Sequence, residues 1–396
     1  MRVAIVTESF LPTMNGVTNS VLRVLDHLDG RGHEALVICP GPAPESYLDF
    51  PVREVTSLKV WHFPLGMPTA HVAQTLEDFE PDVAHIASPV VLGGIALAAC
   101  QRLDVPTVAI YQSDIAGFAL HHGLPRAASR ILWDWARQLH EMADLTLAPS
   151  SASVEDLQAH GVPRVELWGR GVDTVRFTPT RREGAGAAAL RRRLDPAGQD
   201  VVVGYVGRLF PEKRVERLAV LAGAPGIRLA IVGDGPSRGS VERALAVDGM
   251  HPTFLGMLGG DDLADAYAAF DLFVHTGTEE TFGQTLQEAM ATQLPVVAPG
   301  AGGPRDIVRH GETGYLYAPE DDGDLRRRVV ELAGDLGLRE RMGEAGRRVV
   351  LTRSWEAVCD QLLEYYRRAI AEHAVTDRRQ TIDLGGLAAA TLSLRQ

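Results

Sequence analysis

The sequence predicts an α/β chain built as two doubly wound parallel-sheet domains in tandem. Three observations carry this: two successive series of short apolar runs alternating with helical patterns, a compositional break between the series, and a length of 396 residues, more than one hydrophobic core organises well.

In the first series Val3–Val6, Ala35–Ile38, Val83–Ile86, Val108–Tyr111 and Leu145–Ala148 read as buried strands, with Val17–Leu28 and Leu92–Arg102 as helices among them. At 179–200 the pattern gives way to PTRREGAGAAALRRRLDPAGQD, rich in Gly, Ala, Arg and Pro, which places a domain boundary between about residues 174 and 200. The second series has strands at Val201–Val206, Leu229–Val232, Thr253–Leu255, Leu272–His275 and Val296–Ala298. Trp355–Ala369 has the spacing of a long amphipathic helix. The expected organisation is a first domain over 1–178, a second over 179–354, a helix over 355–372 crossing back to the first, and a tail over 373–396, disordered or docked. Ligands of such sheets sit beyond the carboxyl ends of the strands, and two facing domains leave a cleft there.

Apolar residues make up 45% of the chain and charged residues 23%, ordinary globular usage. Cys39, Cys100 and Cys359 lie far apart without a CxxC pair, which excludes a disulfide framework and suits a reducing compartment. The start, MRVAIVTESF, is too short in apolar residues for a secretory signal, and no run approaches the roughly 20 residues that span a bilayer. The chain reads as cytoplasmic, with peripheral contact at the inner membrane face left open. Its net charge of −12 argues against nucleic acid as a partner.

Gly207-Arg208-Leu-Phe-Pro-Glu212-Lys213 follows the strand VVVGYV, so Arg208 and Lys213 fall in a loop at a carboxyl end of the sheet. A guanidinium fork and an ammonium point charge at this spacing suit a diphosphate; a solvated basic loop is the plain alternative. The run Glu279-Glu280-Thr-Phe282-Gly283-Gln284-Thr285-Leu286-Gln287-Glu288 follows the strand LFVH, with Gly283 where a helix would begin. Its backbone N–H groups at 283–286 would form an anion site. Glu280 and Glu288, if helical, stand about 12 Å apart along the axis, wide for a hydrolase pair flanking one bond. They suit a sugar and a ribose diol on either side of a diphosphate. An acid-rich helix start competes for Glu279 and Glu280.

GRLFPEK, EETFGQTLQEAMA, PVVAPGAGGPRDIV and HGETGYL, in this order, resemble the signature of the GT-B fold glycosyltransferases of family 4, whose E-x7-E motif is matched by Glu280 and Glu288. The resemblance covers roughly residues 1–370, and through MRVAIVTESFLPTMNGVTNSVLRVLDHL it is strongest to actinobacterial GDP-mannose-dependent α-mannosyltransferases acting on lipid acceptors. It implies a GT-B fold of two Rossmann-like domains facing across a cleft. It also implies a retaining transfer of a hexose, mannose from GDP-mannose, to a lipid-linked or small glycoside acceptor, with the nucleotide sugar as co-substrate and no metal. By resemblance Arg208, Lys213, Glu280 and Asp114 are catalytic. Gly16, Phe282, Gly283, Gln284, Thr285, Leu286 and Glu288 join Arg208, Lys213 and Glu280 in holding the donor, and Asn15, Gln112 and Asp114 contact acceptor or sugar.

Asn15-Gly16 is equally a plain turn, and relatives often carry a glycine where Asn15 stands and a histidine where Gln112 stands. Gln112 removes a titratable group and leaves Asp114 as the polar substitute, orienting an acceptor hydroxyl or capping a turn. His85 reads as a core or a site residue. Three further patterns are discounted. Gly184-Ala-Gly186-Ala-Ala-Ala189 follows no strand, Gly233-Asp-Gly235 lacks a third glycine and reads as a loop lining the nucleotide cleft, and Asp322-Gly-Asp324 reads as a solvated helix start. Trp133 and Trp135, near Arg126, Arg130 and Arg137, suit either core packing or a membrane or lipid contact. A UDP-sugar donor with a small acceptor, a dinucleotide-dependent oxidoreductase and a non-catalytic sugar-nucleotide sensor are the alternatives.

Overall fold

Apolar runs without polar alternation must be covered on both faces, and here they form parallel sheets flanked by helices. The computed structural model describes the backbone of residues 1–60, 63–66, 70–112, 126–247, 250 and 252–393, and the side chains of 1–56, 71–112, 129–247, 250 and 252–375. The first half contributes β1 (Arg2–Val6), β2 (Glu34–Pro40), β3 (Ser46–Tyr47), β4 (Phe50–Val55), β5 (Ser57–Val60), β6 (Phe63–Gly66), β7 (Val83–Ile86), β8 (Thr107–Ile110), β9 (Leu145–Ala148) and β10 (Val165–Leu167). Among the described residues these form an 8-stranded sheet in the order β10-β9-β8-β7-β1-β2-β4-β3, parallel except where β3 joins β4, and an antiparallel β5-β6 pair.

The second half contributes β11 (Val201–Val206), β12 (Ile227–Val232), β13 (Thr253–Gly256), β14 (Leu272–Val274), β15 (Val296–Pro299) and β16 (Gly314–Tyr317). They form a parallel 6-stranded sheet among the described residues, ordered β13-β12-β11-β14-β15-β16. In chain order this is the 3-2-1-4-5-6 arrangement of doubly wound folds. Every strand expected from the sequence is present, with bounds within two residues. The strands not anticipated are short or polar, such as the two-residue β3 and the Pro51, Arg53 and Glu54 of β4, and several sit at sheet edges where burial writes a weaker pattern.

Alternate side chains of each strand feed opposite cores. Val3, Ile5 and Val37 pack on one face with Val21 and Leu25 of helix Gly16–Gly30, while Ala4, Val6 and Ile38 meet Leu92, Ala96 and Leu97 of helix Val91–Leu103 on the other. In the second sheet Val202, Ala230 and Phe273 pack with Leu286 and Met290, and Val203, Ile231 and Val274 with Leu218, Leu325 and Val329.

The stretch 179–200 is not an open linker. Pro179–Glu183 is a short 3-10 helix and Ala185–Leu194 an α-helix capped at Gly184. Alanine is the best helix former, and Ala187 and Leu194 are buried while Arg191 donates to Asp271 Oδ2 at 2.5 Å and to the Ala269 and Asp200 carbonyls. A composition that reads as a break therefore docks on the second domain.

The C-terminal helix, Trp355–Ser393, runs past the expected Ala369. Val358, Cys359, Leu362, Leu363, Tyr366 and Ala369 enter the core of the first sheet with Val3 and Ile5. Trp168 Nε1 donates to the Val358 carbonyl at 2.9 Å, and Asp360 pairs with His27 and Arg31. His85 Nδ1 meets the Tyr366 hydroxyl at 2.7 Å, and burial pushes the imidazole down to about 3. His85 is thus a neutral core histidine. The side chains of 376–396 lie outside those described.

Tyr366→Phe would leave a buried imidazole nitrogen without its partner. The expected loss is about 1–3 kcal/mol, read as a lower denaturation midpoint with the activity of the folded fraction unchanged.

Candidate functional site

In the second sheet the chain order reverses between β11 and β14, and the loops leaving these neighbours diverge, which opens a crevice at their carboxyl ends. The loop after β11 carries Arg208 and Lys213, and the loop after β14 carries Glu280. Lys213 Nζ donates to Glu280 Oε2 at 2.7 Å, and Thr276 Oγ1 donates to the Lys213 carbonyl at 2.7 Å, so the two loops are tied. Gly233 and Gly235 back the first loop. Their φ values of 131° and 158° suit glycine, and a Cβ at either would strike the carbonyl of Gly207 or Leu209. This loop shapes the crevice from behind.

Lys213 and Glu280 expose only 17% and 19% of their side chains, so their attraction is little screened. An ammonium has three donors; one is committed to Glu280 among the described residues, leaving two for an anion. Arg208 is 61% exposed, 3.7 Å from Glu212, with its guanidinium 4.8 Å over the Phe210 ring. Burial alone would push the Glu280 carboxyl up, but Lys213, His275 and Arg170 outweigh it and hold the group at about 2. His275 Nε2 stands 3.6 Å from the same Glu280 oxygen, yet burial lowers its imidazole to about 4, so it faces the carboxylate uncharged at neutral pH.

Gly283, at φ 105°, caps the helix Gln284–Ala291. The N–H groups of Leu286 and Gln287 turn to the Gly283 carbonyl, which leaves the amides ahead of Leu286 at the helix end. Leu286 therefore drops out of the expected anion site. The side chains of Phe282 and Leu286 are buried in the second core, so Phe282 can offer only its backbone. Because Glu280 precedes the cap, the stretch from Glu280 to Glu288 is not helical throughout, contrary to the spacing estimate. Glu288 Oε2 accepts from the buried Tyr267 hydroxyl at 2.9 Å, and burial pushes its carboxyl up to about 7 against the hydrogen bonds of Tyr267 and Gln284.

Gln284 and Gln287 also reach the segment that follows β10: Gln284 Nε2 donates to the Gly171 carbonyl at 3.1 Å and Gln287 Nε2 to the Arg170 carbonyl at 2.8 Å. The Arg170 side chain stands in no motif that marks it in the sequence. Its NH2 donates to Gln112 Oε1 at 2.6 Å, while Gln112 Nε2 donates to the Ala87 carbonyl at 2.9 Å. A Cβ on Gly16 would lie 3.0 Å from Arg170 NH1. Asn15 spends its side chain as a helix cap: Oδ1 accepts from Val17 and Thr18 N–H, both at 3.0 Å, and Nδ2 donates to Ser9 Oγ. Asp114 lies outside the described residues.

The discounted patterns have structural partners. Asp322 pairs with Arg217 at 2.6 Å, and Asp324 accepts from the Ala318 N–H and pairs with Arg327. Among the described residues no group of three or more His, Cys, Asp or Glu could hold a metal ion. Trp133 stacks on His160 with ring centroids 3.8 Å apart and on Tyr111 at 6.3 Å. With Leu132, Ala136 and Val90 it lines an apolar cavity that reaches Gln112.

Residues 14–176 match the profile described as Glycosyltransferase Family 4, and residues 187–349 match Glycosyl transferases group 1. The chain is 48% identical over 391 residues to a GDP-mannose-dependent alpha-mannosyltransferase of Mycobacterium tuberculosis, covering 96% of this chain and 98% of that protein. It is 48% identical over 387 residues to a protein of the same name from Mycolicibacterium smegmatis, covering 95% and 99%. Among solved structures it is similar to HepE of Anabaena in complex with UDP, at 22% identity and a TM-score of 0.77 over 93% of this chain and 100% of that one. At that identity the likeness concerns the fold. Two tandem doubly wound sheets, a crevice with cations and carboxylates at the second switch point, and near full-length identity to these relatives agree: the chain belongs to the family 4 glycosyltransferases of the GT-B fold.

Proposed function

We propose that the protein transfers mannose from GDP-mannose, with retention, to a lipid-linked or small glycoside acceptor. The donor rests on one observation, the 48% identity along nearly the whole chain to enzymes named for that donor. The crevice geometry supports the chemistry. A sugar diphosphate would lie with its phosphates between Arg208, Lys213, the backbone at Gly16 and the amides of Phe282, Gly283, Gln284 and Thr285. Glu280 would take hydroxyls of the sugar and Glu288 the ribose diol. Gln112 and the apolar cavity beside Trp133 would serve the acceptor side, which suits an acceptor with an apolar portion; Asp114, named from the sequence alone, would orient an acceptor hydroxyl.

In the transfer, the bond between the sugar C1 and the terminal phosphate oxygen breaks, the acceptor oxygen bonds to C1, and the acceptor proton passes to the departing phosphate. The difficult step is charge build-up on the leaving diphosphate. Preorganised cations and helix-end amides stabilise that charge without reorganising, so the reaction needs no metal in this reading. Of the described residues no helix is long and apolar enough to cross a membrane; the enzyme would meet a lipid-linked acceptor as a cytoplasmic protein touching the inner face.

Calorimetric titration in EDTA tests the donor. GDP should bind more tightly than UDP, because a base site built of hydrogen bonds rejects the mismatched base strongly, and GDP-mannose should be consumed when acceptor is supplied. Tighter binding of UDP would replace the mannosyl reading with a UDP-sugar donor.

Arg208→Ala and Lys213→Ala should each lower kcat/KM for the donor by about 1.5–3 kcal/mol, roughly 10- to 150-fold, the worth of a charge-assisted contact. Unchanged turnover in both would remove the diphosphate from this loop.

Glu288 generates a pH signature. Its carboxyl titrates at about 7 in the fold against 4.5 ordinarily, so its favourable share of stability is complete below the ordinary value and lost as pH rises through about 7. Glu288→Gln should therefore melt higher than wild type at about pH 8 and equal to it near pH 4, by an amount on the order of 1–3 kcal/mol. GDP binding, which draws on the ionised carboxylate, should strengthen across the same range in wild type and stay flat in the variant. Parallel pH profiles in the two proteins would remove Glu288 from the ribose site.

A further inference from the structure

We infer that Arg170 is a third cation of the donor site, contacting the terminal phosphate of the nucleotide, with Gln112 as the residue that positions it. The inference rests on the donor-phosphate site proposed above and deepens it.

Arg170 follows β10 of the first sheet, and elements of both halves of the chain hold it. Its carbonyl accepts from Gln287 Nε2 at 2.8 Å, on the helix whose amino end faces the crevice. Its guanidinium donates to Gln112 Oε1 at 2.6 Å, and Gln112 is itself fixed by the Ala87 carbonyl beyond β7. The amide of Gln112 thus has both ends in use and one available orientation. A glutamine is suited to this: its oxygen accepts from the guanidinium without adding a charge that would cancel it, and no proton is gained or lost between acid and neutral pH. The guanidinium has five N–H donors, and its one side-chain hydrogen bond among the described residues is that to Gln112.

One of the remaining nitrogens lies against Gly16, where the proposed site needs a phosphate. NH1 lies 3.0 Å from the position a Cβ would take on Gly16, so guanidinium and glycine backbone share one small volume. Across the crevice, Arg170 is near enough to Glu280 to help hold that carboxyl ionised. Glu288, the ribose carboxylate, belongs to the second domain and bonds Tyr267 there. A nucleotide anchored at Glu288 and extended toward Glu280 brings its terminal phosphate, rather than its inner one, to Arg170.

Charge counting favours the same role. Lys213 is matched by Glu280 at 2.7 Å, and Arg208 has Glu212 at 3.7 Å. Those four groups sum to zero, so among them a dianionic diphosphate would meet no excess positive charge. Arg170 supplies the excess positive charge, and its planar fork matches two phosphate oxygens at once.

Comparing GDP with GMP separates a phosphate contact from a structural one, since only GDP carries the terminal phosphate. Arg170→Lys and Arg170→Ala should weaken GDP by about 10- to 100-fold and leave GMP within about 2-fold of wild type, while kcat for the donor falls. Gln112→Leu, which frees the guanidinium without removing it, should weaken GDP in the same direction by a smaller factor, again sparing GMP. Should Arg170→Ala fail to fold, the lysine and Gln112 variants carry the comparison. Equal weakening of GDP and GMP, or none of either, overturns the inference. If wild type prefers uridine nucleotides, the donor base has been misread and the UDP–UMP pair tests Arg170 unchanged; if wild type binds no nucleotide diphosphate, the donor site and this inference fall together.

Discussion

The ion pair between Lys213 and Glu280 is the contact on which the rest of the crevice depends. Both groups are largely removed from water, and a pair in such a place is not worth much as stability, because desolvation offsets most of the attraction. Its value is positional. The pair closes the distance between the loops that leave β11 and β14, which diverge by topology, and the Thr276 hydroxyl on the Lys213 carbonyl repeats the tie in the backbone. It also keeps Glu280 ionised at a site where burial alone would protonate it. The sugar-binding role proposed for Glu280, accepting hydrogen bonds from hydroxyls, needs that state.

The same crevice is linked mechanically to the division between the domains. Gln284 and Gln287, in the first turn of the helix Gln284–Ala291, bond the carbonyls of Gly171 and Arg170. Nearby, Ser151 of the first domain bonds Asp306 of the second through both its N–H and its hydroxyl. These contacts tie the helix Gln284–Ala291 and the residue Asp306 of the second half to the first half of the chain. The C-terminal helix completes the arrangement by burying Leu362, Leu363 and Tyr366 in the first sheet. The two carboxylates of the E-x7-E pair also diverge here: cations surround Glu280 and hold it low, whereas Glu288, against a buried tyrosine, is carried up to about 7.

The sequence by itself determined the fold class, the central strands and which loops leave their carboxyl ends. Buried parallel strands leave continuous apolar runs, and loop glycines and charges directly after such runs fall at the carboxyl ends of the sheet. Arg208, Lys213 and Glu280 could be placed at the carboxyl ends of strands for that reason, whereas Glu288 lies within the helix Gln284–Ala291. What only the tertiary structure decided concerns partners distant in sequence. Arg170 has no motif, and its meaning arises from Gln112, 58 positions away, and from Glu280 across the crevice. His85 reads from the sequence as a core or a site residue alike, and the Tyr366 hydroxyl on its ring nitrogen, 281 positions on, decides for the core. The stretch 179–200 read as a break by composition because docking of Arg191 on Asp271 leaves no local trace. Periodicity records what a residue does with its near neighbours in the chain. The pairing of charges and buried polar groups is set by which loops the fold brings together, and that information is not local.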